Sequence, residues 1–287
     1  MTVVHLFPGQ GSHRTGMGRE LFARYPHLVR AADGVLGYSV EELCLRAPEE
    51  RLTDTRYTQC AVYVVDALSY VDRVRTDGVV PDAVAGHSLG EYAALFAAGA
   101  FDLVTGLELV AARAALMAGA GPGAMLAVLG LPPERVREVL HRAGAAQLDL
   151  ANLNSPSQTV VSGPRPDVEA AGPALAAEAD AVLPLKVSGA FHSRQMSGAA
   201  AGFRDVLAGY HLGRLRIPVI ANVTARPYRD GEVAELLVRQ LTEPVRWTES
   251  MQYLLGLPDP QFAEVGPGQV LTGLLRQIRE ATAAPVS

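Results

Sequence analysis

A block in the middle of the chain limits the fold more than any other feature. Between the glycine-rich break Gly119–Gly123 and Gly189, the pattern reads strand, helix, strand, strand, helix, strand. Ala124 to Leu129 is a short apolar run, and Pro132 to Ala143 reads as a helix with proline near its start. Leu148 to Leu153 and Thr159 to Ser162 flank the turn residues Asn154-Ser155-Pro156-Ser157. Pro166 to Ala179 reads as a second helix and Val182 to Val187 as a fourth strand. A β-α-β-β-α-β order is the split-βαβ, ferredoxin-like arrangement.

The flanking sequence follows a different rule, with helices alternating with short apolar strands. Val3 to Phe7 is a strand ended by Pro8-Gly9, and Gly16 to Leu36 and Thr58 to Arg75 have helical spacing. Ala83-Val84-Ala85 is a short buried strand before an alanine-rich helix through Ala98, and Asp102 suits a cap for the helix carrying Leu107 to Met117. Beyond the block, a helix follows His192, and Ile217 to Asn222 reads as a strand. Helices over Glu232 to Leu241 and Trp247 to Leu255, a strand over Gln261 to Val265, a helix over Gln269 to Glu280 and a loose tail after Thr282 complete the chain. Such alternation predicts a parallel sheet covered on both faces. The expected class is therefore α/β, with a ferredoxin-like small subdomain at 122–188 inserted into a larger unit of 1–121 and 189–287.

Composition narrows the function. At 287 residues, with 49% hydrophobic and 19% charged side chains, the chain can bury a sizeable core. Its net charge of −5 gives no general attraction for nucleic acid or an anionic membrane. No apolar run approaches the ~18 residues that suggest a spanning helix, and no basic, signal-like segment precedes Val3. Cys44 and Cys60 are too few for a disulfide framework and lack metal-site spacing. A soluble, cytoplasmic, monomeric protein with reduced thiols and no bound metal or cofactor is expected.

The strongest chemical signal is Gly86-His87-Ser88-Leu89-Gly90, after a strand and before a helix. A nucleophilic serine on so sharp a turn needs small neighbours, and the next helix points free N–H groups toward it. The competing reading is a glycine-rich turn with a capping serine, which the strand–turn–helix context disfavours. A neutral serine also needs a base. Of the downstream histidines, His141 suits a helix end and His211 a polar surface, whereas His192 follows Gly189-Ala190-Phe191 at the expected end of a strand. No Asp or Glu between Ser88 and His192 stands out as the third member of a hydrolase triad, and no lipase-like glycine motif precedes the serine. Arg113 interrupts the apolar helix of Val110, Ala114 and Met117. Buried there, it needs a planar anionic partner, either a structural Glu or a ligand.

Five motifs in one order carry a resemblance: Phe7-Pro8-Gly9-Gln10-Gly11-Ser12, Gly86-His87-Ser88-Leu89-Gly90-Glu91, Asn152-Leu153-Asn154-Ser155-Pro156, Ala190-Phe191-His192-Ser193 and Glu264-Val265-Gly266-Pro267-Gly268. Over nearly its whole length the chain resembles malonyl-CoA:acyl carrier protein transacylases, especially the free-standing, trans-acting acyltransferases of polyketide synthases. That resemblance implies an α/β-hydrolase-like large subdomain and transfer of malonyl from malonyl-CoA to the phosphopantetheine thiol of an acyl carrier protein.

It also implies roles. Ser88 carries the acyl group, and His192 is its base, oriented by the backbone carbonyl of Gln240. The backbone N–H groups of Gln10 and Leu89 form an oxyanion hole, and Arg113 binds the malonyl carboxylate. Gln59 and Asn154 line the acyl site and Met117 closes it, although the same residues suit structural hydrogen bonding; His87, next to the nucleophile, either shapes the pocket or packs structurally. Phe191 goes with malonyl rather than methylmalonyl, because its ring occupies the space of an α-methyl group. Gly189, where a larger residue is common, suggests a wider pocket mouth. Arg194, Arg204, Arg226 and Arg229 are candidates for docking an acidic carrier. The alternative is an acyl hydrolase that releases stalled chains with the same serine and histidine, although it would have no carboxylate for Arg113.

Overall fold

The computed structural model describes residues 1–283. Strand β1 (Thr2–Phe7) leads into short helices α1 (Arg19–Arg24), α2 (Pro26–Leu36), α3 (Val40–Arg46) and α4 (Glu49–Thr53). The long α5 (Thr55–Asp77), β2 (Ala83–Gly86), α6 (Gly90–Ala97) and α7 (Leu103–Ala118) follow. Next come β3 (Ala124–Leu129), α8 (Pro133–Arg142), β4 (Asp149–Ser155), β5 (Gln158–Gly163), α9 (Arg165–Ala176) and β6 (Ala181–Pro184). A 3-10 turn (Arg194–Met196) then precedes α10 (Ser197–Leu207), β7 (Val219–Ile220), α11 (Val233–Gln240), α12 (Trp247–Leu255), β8 (Pro260–Glu264) and α13 (Val270–Ala283). The tail expected after Thr282 lies, from residue 284 onward, outside the described residues.

Two sheets form among the described residues. One has the order β7-β2-β1-β8 with every neighbour parallel, and the other the order β4-β5-β3-β6 with every neighbour antiparallel. The second is the ferredoxin-like order expected from the block pattern. The chain is therefore an α/β fold, a hydrolase-like large subdomain carrying a small antiparallel one.

The parallel sheet is covered on both faces, as its apolar strands require. One side packs Tyr63, Leu68, Tyr92 and Phe203 around α5, α6, α7 and α10, and the other packs Trp247, Met251, Leu271 and Leu275 against Val4 and Leu6. From Thr58 to Leu68, α5 is buried on every side, so it runs through the core rather than over it. The small subdomain has its own core of Val136, Leu140, Val161, Val168 and Leu175. Its β4 docks on the chain ahead of α12, where Leu153 N–H donates to the Val245 carbonyl and Val245 N–H to that of Ala151, both at 2.9 Å.

Several expected elements differ, each through proline or a cap. The single helix over Gly16 to Leu36 is two, because Pro26 has no N–H to continue α1 and Tyr25 before it leaves the helical region at φ −123° and ψ 51°. Helix α5 starts ahead of Thr58, where the Asp54 carboxylate caps it by accepting from Arg56 N–H at 3.0 Å. Asp102, by contrast, caps α7 as the sequence suggests, through Thr105 N–H at 2.8 Å. The strand expected over Ile217 to Asn222 pairs only at Val219–Ile220. Strand β6 stops at Pro184, so His192 follows an irregular loop rather than a strand end. No helix among the described residues is long and apolar enough to cross a membrane.

Candidate active site

Between β2 and α6 the backbone doubles back so tightly that Ser88 takes a left-handed φ of 52°. A Cβ on Gly86 would lie 2.0 Å from the carbonyl carbon of Gly90, and one on Gly90 would lie 2.1 Å from the Phe7 carbonyl oxygen. Both glycines of the motif are thus steric requirements. His87 N–H donates to the Phe7 carbonyl at 2.9 Å, which ties the turn to the end of β1 and brings Gln10 close to Ser88.

Ser88 Oγ lies 2.7 Å from His192 Nε2, and His192 Nδ1 lies 2.7 Å from the Gln240 carbonyl oxygen. A carbonyl only accepts, so Nδ1 carries the ring proton and the Nε2 lone pair faces the serine hydroxyl, which donates to it. Burial, helped by the Arg113 charge, pushes the His192 pKa down to about 3. The resting imidazole is therefore neutral at pH 7. His192 itself sits at a left-handed φ of 56°, a strained conformation kept at the point where the loop must aim the ring at Ser88.

Arg113 on α7 is buried, and its Cζ lies 5.5 Å from the centre of the Tyr92 ring. Its guanidinium donates to Gln59 Oε1, to Gln240 Oε1 at 3.0 Å and to Ser88 Oγ at 3.3 Å. Its Nε has no partner among the described residues. The Arg–Glu ion pair left open by the sequence is not made, for no carboxylate lies within ion-pair distance among the described residues. A buried cation held only by neutral groups beside a serine hydroxyl is a ready site for an anion.

These groups surround a cavity of about 90 Å³ lined by Gln10, Gln59, His87, Ser88, Leu89, Arg113, Met117, Phe191 and His192. Neither the Gln10 nor the Leu89 backbone N–H donates to a protein acceptor among the described residues. Gln59 also donates to Met117 Sδ at 3.6 Å, so these two candidates brace each other beside Arg113. Asn154 does not line this cavity. It bonds His87 Nε2 through Oδ1 at 2.7 Å and faces a neighbouring cleft of about 320 Å³, which opens past the exposed Leu183, Leu185 and Val270. Gln240 stands behind the cavity wall, with Asn152, Met125, Leu185 and Val187 as lining residues that the sequence did not single out. The widening expected from Gly189 is filled: a Cβ there would lie 2.8 Å from Phe191 Cε1, so the glycine makes room for the ring.

Two more residues act here without a local signal. Asn222 accepts from Ser88 N–H at 2.7 Å and donates to the Gly86 carbonyl at 2.7 Å, clamping both sides of the turn. Glu91, which directly follows Gly90 at the end of the serine-turn motif, is buried against Gln240, Asn222 and Tyr228. A polar residue closing the apolar run Ile217 to Ala221 was the one available hint for Asn222. Of the candidate docking arginines, Arg194 is bound to Asp149 at 2.6 Å and Arg226 lies 5.3 Å from the Tyr253 ring centre. Arg204 and Arg229 form no ion pair among the described residues. No group of three or more His, Cys, Asp or Glu could hold a metal among the described residues.

Residues 4–286 match the acyl transferase domain family. The polyketide biosynthesis malonyl CoA-acyl carrier protein transacylase BaeC of Bacillus velezensis is 48% identical, over 98% of each chain. The malonyl CoA-acyl carrier protein transacylase structure from Burkholderia pseudomallei superposes with a TM-score of 0.95 at 46% identity, covering 99% of this chain and 100% of that one. A malonyl-transacylase in complex with its holo type II PKS acyl-carrier protein, PlMCAT:AntF, superposes at 0.92 with 37% identity, covering 98% of this chain and 94% of that one. With the family model matching 4–286 and these proteins matching in fold over nearly the whole length, the chain belongs to the acyl transferase family.

Proposed function

We propose that this protein is a malonyl-CoA:acyl carrier protein acyltransferase that serves polyketide synthesis in trans. The observation that carries the reading is the Arg113 guanidinium, buried without a carboxylate partner and 3.3 Å from Ser88 Oγ. In malonyl-serine the free carboxylate lies two carbons beyond the ester oxygen's neighbour, which brings it to a guanidinium that already touches that oxygen. An acyl hydrolase for stalled chains has no use for this cation.

The reaction runs in two halves. Ser88 Oγ attacks the thioester carbonyl while its proton passes to His192 Nε2. The resulting oxyanion takes the N–H groups of Gln10 and Leu89, and the imidazolium is steadied by the Gln240 carbonyl on Nδ1. Collapse breaks the C–S bond, and the CoA thiolate leaves with the proton from His192. The carrier's phosphopantetheine thiol then gives its proton to His192 and attacks the malonyl ester, and Ser88 recovers the proton as it leaves. No bound metal or cofactor takes part.

Phe191 sets the extender. Its ring fills the space beside Gly189, and a ring at this position leaves less room for an α-methyl group than a smaller side chain would. One methyl group is worth only about 1–3 kcal/mol, so malonyl is preferred with some leakage to methylmalonyl. Residues 122–188 act as the inserted unit between 1–121 and 189–287, in a monomer working in the cytoplasm with Cys44 and Cys60 reduced and buried.

Intact-mass spectrometry after brief exposure to malonyl-, methylmalonyl- and acetyl-CoA tests the reading. A malonyl adduct on the wild type, absent from Ser88→Ala and passed to an added carrier protein, is the expected result. Release of free acid without a carrier, or no adduct from any carboxylated thioester, would replace it with the hydrolase.

A further inference from the structure

We propose that Glu91 is a positioning residue that holds Arg113 ready for a carboxylated acyl group, acting through the side chain of Gln240. The inference rests on the proposed malonyl transfer and adds to it a determinant of selectivity that never touches substrate.

Glu91 lies one residue into α6, at the foot of the serine turn, and is 1% exposed. Every group that meets its carboxylate is a donor: Asn222 N–H at 2.9 Å, the Tyr228 hydroxyl at 2.6 Å and Gln240 Nε2. Both oxygens accept, so the arrangement calls for the ionised carboxylate. Gln240 Nε2 also donates to the Ser88 carbonyl at 2.9 Å, while Gln240 Oε1 accepts from Arg113 at 3.0 Å. One amide orientation alone satisfies all these partners, with nitrogen toward the two acceptors and oxygen toward the guanidinium. Glu91 is thus the counter-charge of Arg113 at the distance of one amide.

The relay solves a geometric conflict. A carboxylate bonded directly to Arg113 would saturate the guanidinium and exclude the malonyl group. With no counter-charge, the cation would be buried alone, which is strongly unfavourable. The amide between them answers the charge and leaves the edge near Ser88 Oγ open. Through Asn222, the same carboxylate also steadies the Ser88 N–H.

The titratable or charged groups around Glu91 are Tyr228, Arg113 on α7, neighbouring Tyr92 on α6, and His192 beyond Gln240. Burial raises the Glu91 pKa to about 7, against the pull of Tyr228, Asn222, Gln240 and Arg113. A proton on the oxygen facing Gln240 forces the amide to turn, which sets its NH₂ against Arg113 and breaks the relay. Malonyl transfer therefore loses activity as pH falls through about 7.

Glu91→Gln keeps the shape, removes the charge and introduces a second amide nitrogen facing Gln240. The expected result is a fall of about 100-fold in kcat/KM for malonyl-CoA with a far smaller fall for acetyl-CoA, which has no carboxylate. Equal losses for both thioesters in folded protein would overturn the proposal while leaving malonyl transfer intact. Failure of the wild type to form a malonyl adduct would remove both. Should Glu91→Gln not fold, Tyr228→Phe tests the same point by deleting one donor to the charged form. Its acidic limb for malonyl transfer is expected to move up by about one pH unit with the rate above the limb kept. An unmoved limb overturns the proposal.

Discussion

The large subdomain buries Glu91, Arg113, His192, Asp66 and His5, whereas the small one buries no charged side chain or histidine among the described residues. The small subdomain's buried polar groups are Asn152, Ser155, Thr159 and Ser162, and its ion pairs, among them Arg135–Glu138, Arg135–Glu178 and Arg142–Glu178, lie at the surface. The difference separates two tasks. A scaffold needs only apolar packing, which is cheap to encode by alternation along strands. A site for an anionic acyl group needs charge taken out of water, and that charge is tolerated only where a network answers it. The small subdomain supplies a wall of the cleft through Met125, Asn152 and Val187, and the large one places Ser88, His192 and Arg113 around it.

Removing the buried cation tests the difference most severely. Arg113→Ala should cost malonyl recognition about 3–5 kcal/mol, read as a loss in kcat/KM, while acetyl transfer changes little. A parallel loss of both substrates would mean that Arg113 is structural. In the small subdomain, Leu175→Ala empties a fully buried position in the apolar core. It should lower stability by about 2–5 kcal/mol in denaturant titration without altering the malonyl-to-acetyl ratio. A changed ratio would show that the two subdomains are coupled more closely than their cores imply.

Acid sharpens the same contrast. The folded pKa values of His192 and His5 are depressed to about 3 and about 4, below their ordinary value of 6.5, largely by burial. The unfolded chain therefore binds protons more readily, and their stabilising contribution, complete above the unfolded value, is lost as pH falls toward the folded values. Glu91 and Asp66, whose pKa values burial raises, take up protons first in the folded state and oppose this loss. All four groups lie in the large subdomain, so hydrogen exchange on acidification to pH 5 should change protection in β1 and β2 before β3 and β5. The reverse order would locate the acid-sensitive element in the small subdomain. The smallest effect is expected at its surface, where Glu178→Gln, although it disturbs pairs with Arg135 and Arg142, should leave the melting temperature within experimental scatter.

Local patterns announced much of this. Glycine at 86 and 90, small residues around Ser88 and the following helix specified the serine turn, because steric exclusion acts between near neighbours in sequence. The ferredoxin-like block was legible for the same kind of reason: strand alternation, helical spacing and turn residues are short-range signals. The helix over Gly16 to Leu36 is divided at Pro26, and the strand over Ile217 to Asn222 shortens to Val219–Ile220 just after Pro218, each proline lacking a backbone donor. For Gln10, Leu89, Gln240 and Arg113, the sequence offers roles only through the family resemblance, and only the folded chain sets Gln240 against His192 and Arg113 against Ser88.

By itself, the sequence determined the two kinds of sheet, the serine turn and the isolation of Arg113 in an apolar helix. The tertiary structure decided what surrounds that arginine. Glu91 meets Asn222, Tyr228 and Gln240 across 131, 137 and 149 residues of chain, and His192 meets Ser88 across 104. No periodicity reaches so far. Whether a buried charge is answered by a carboxylate, an amide or a substrate depends on which distant donors and acceptors packing brings into bonding distance.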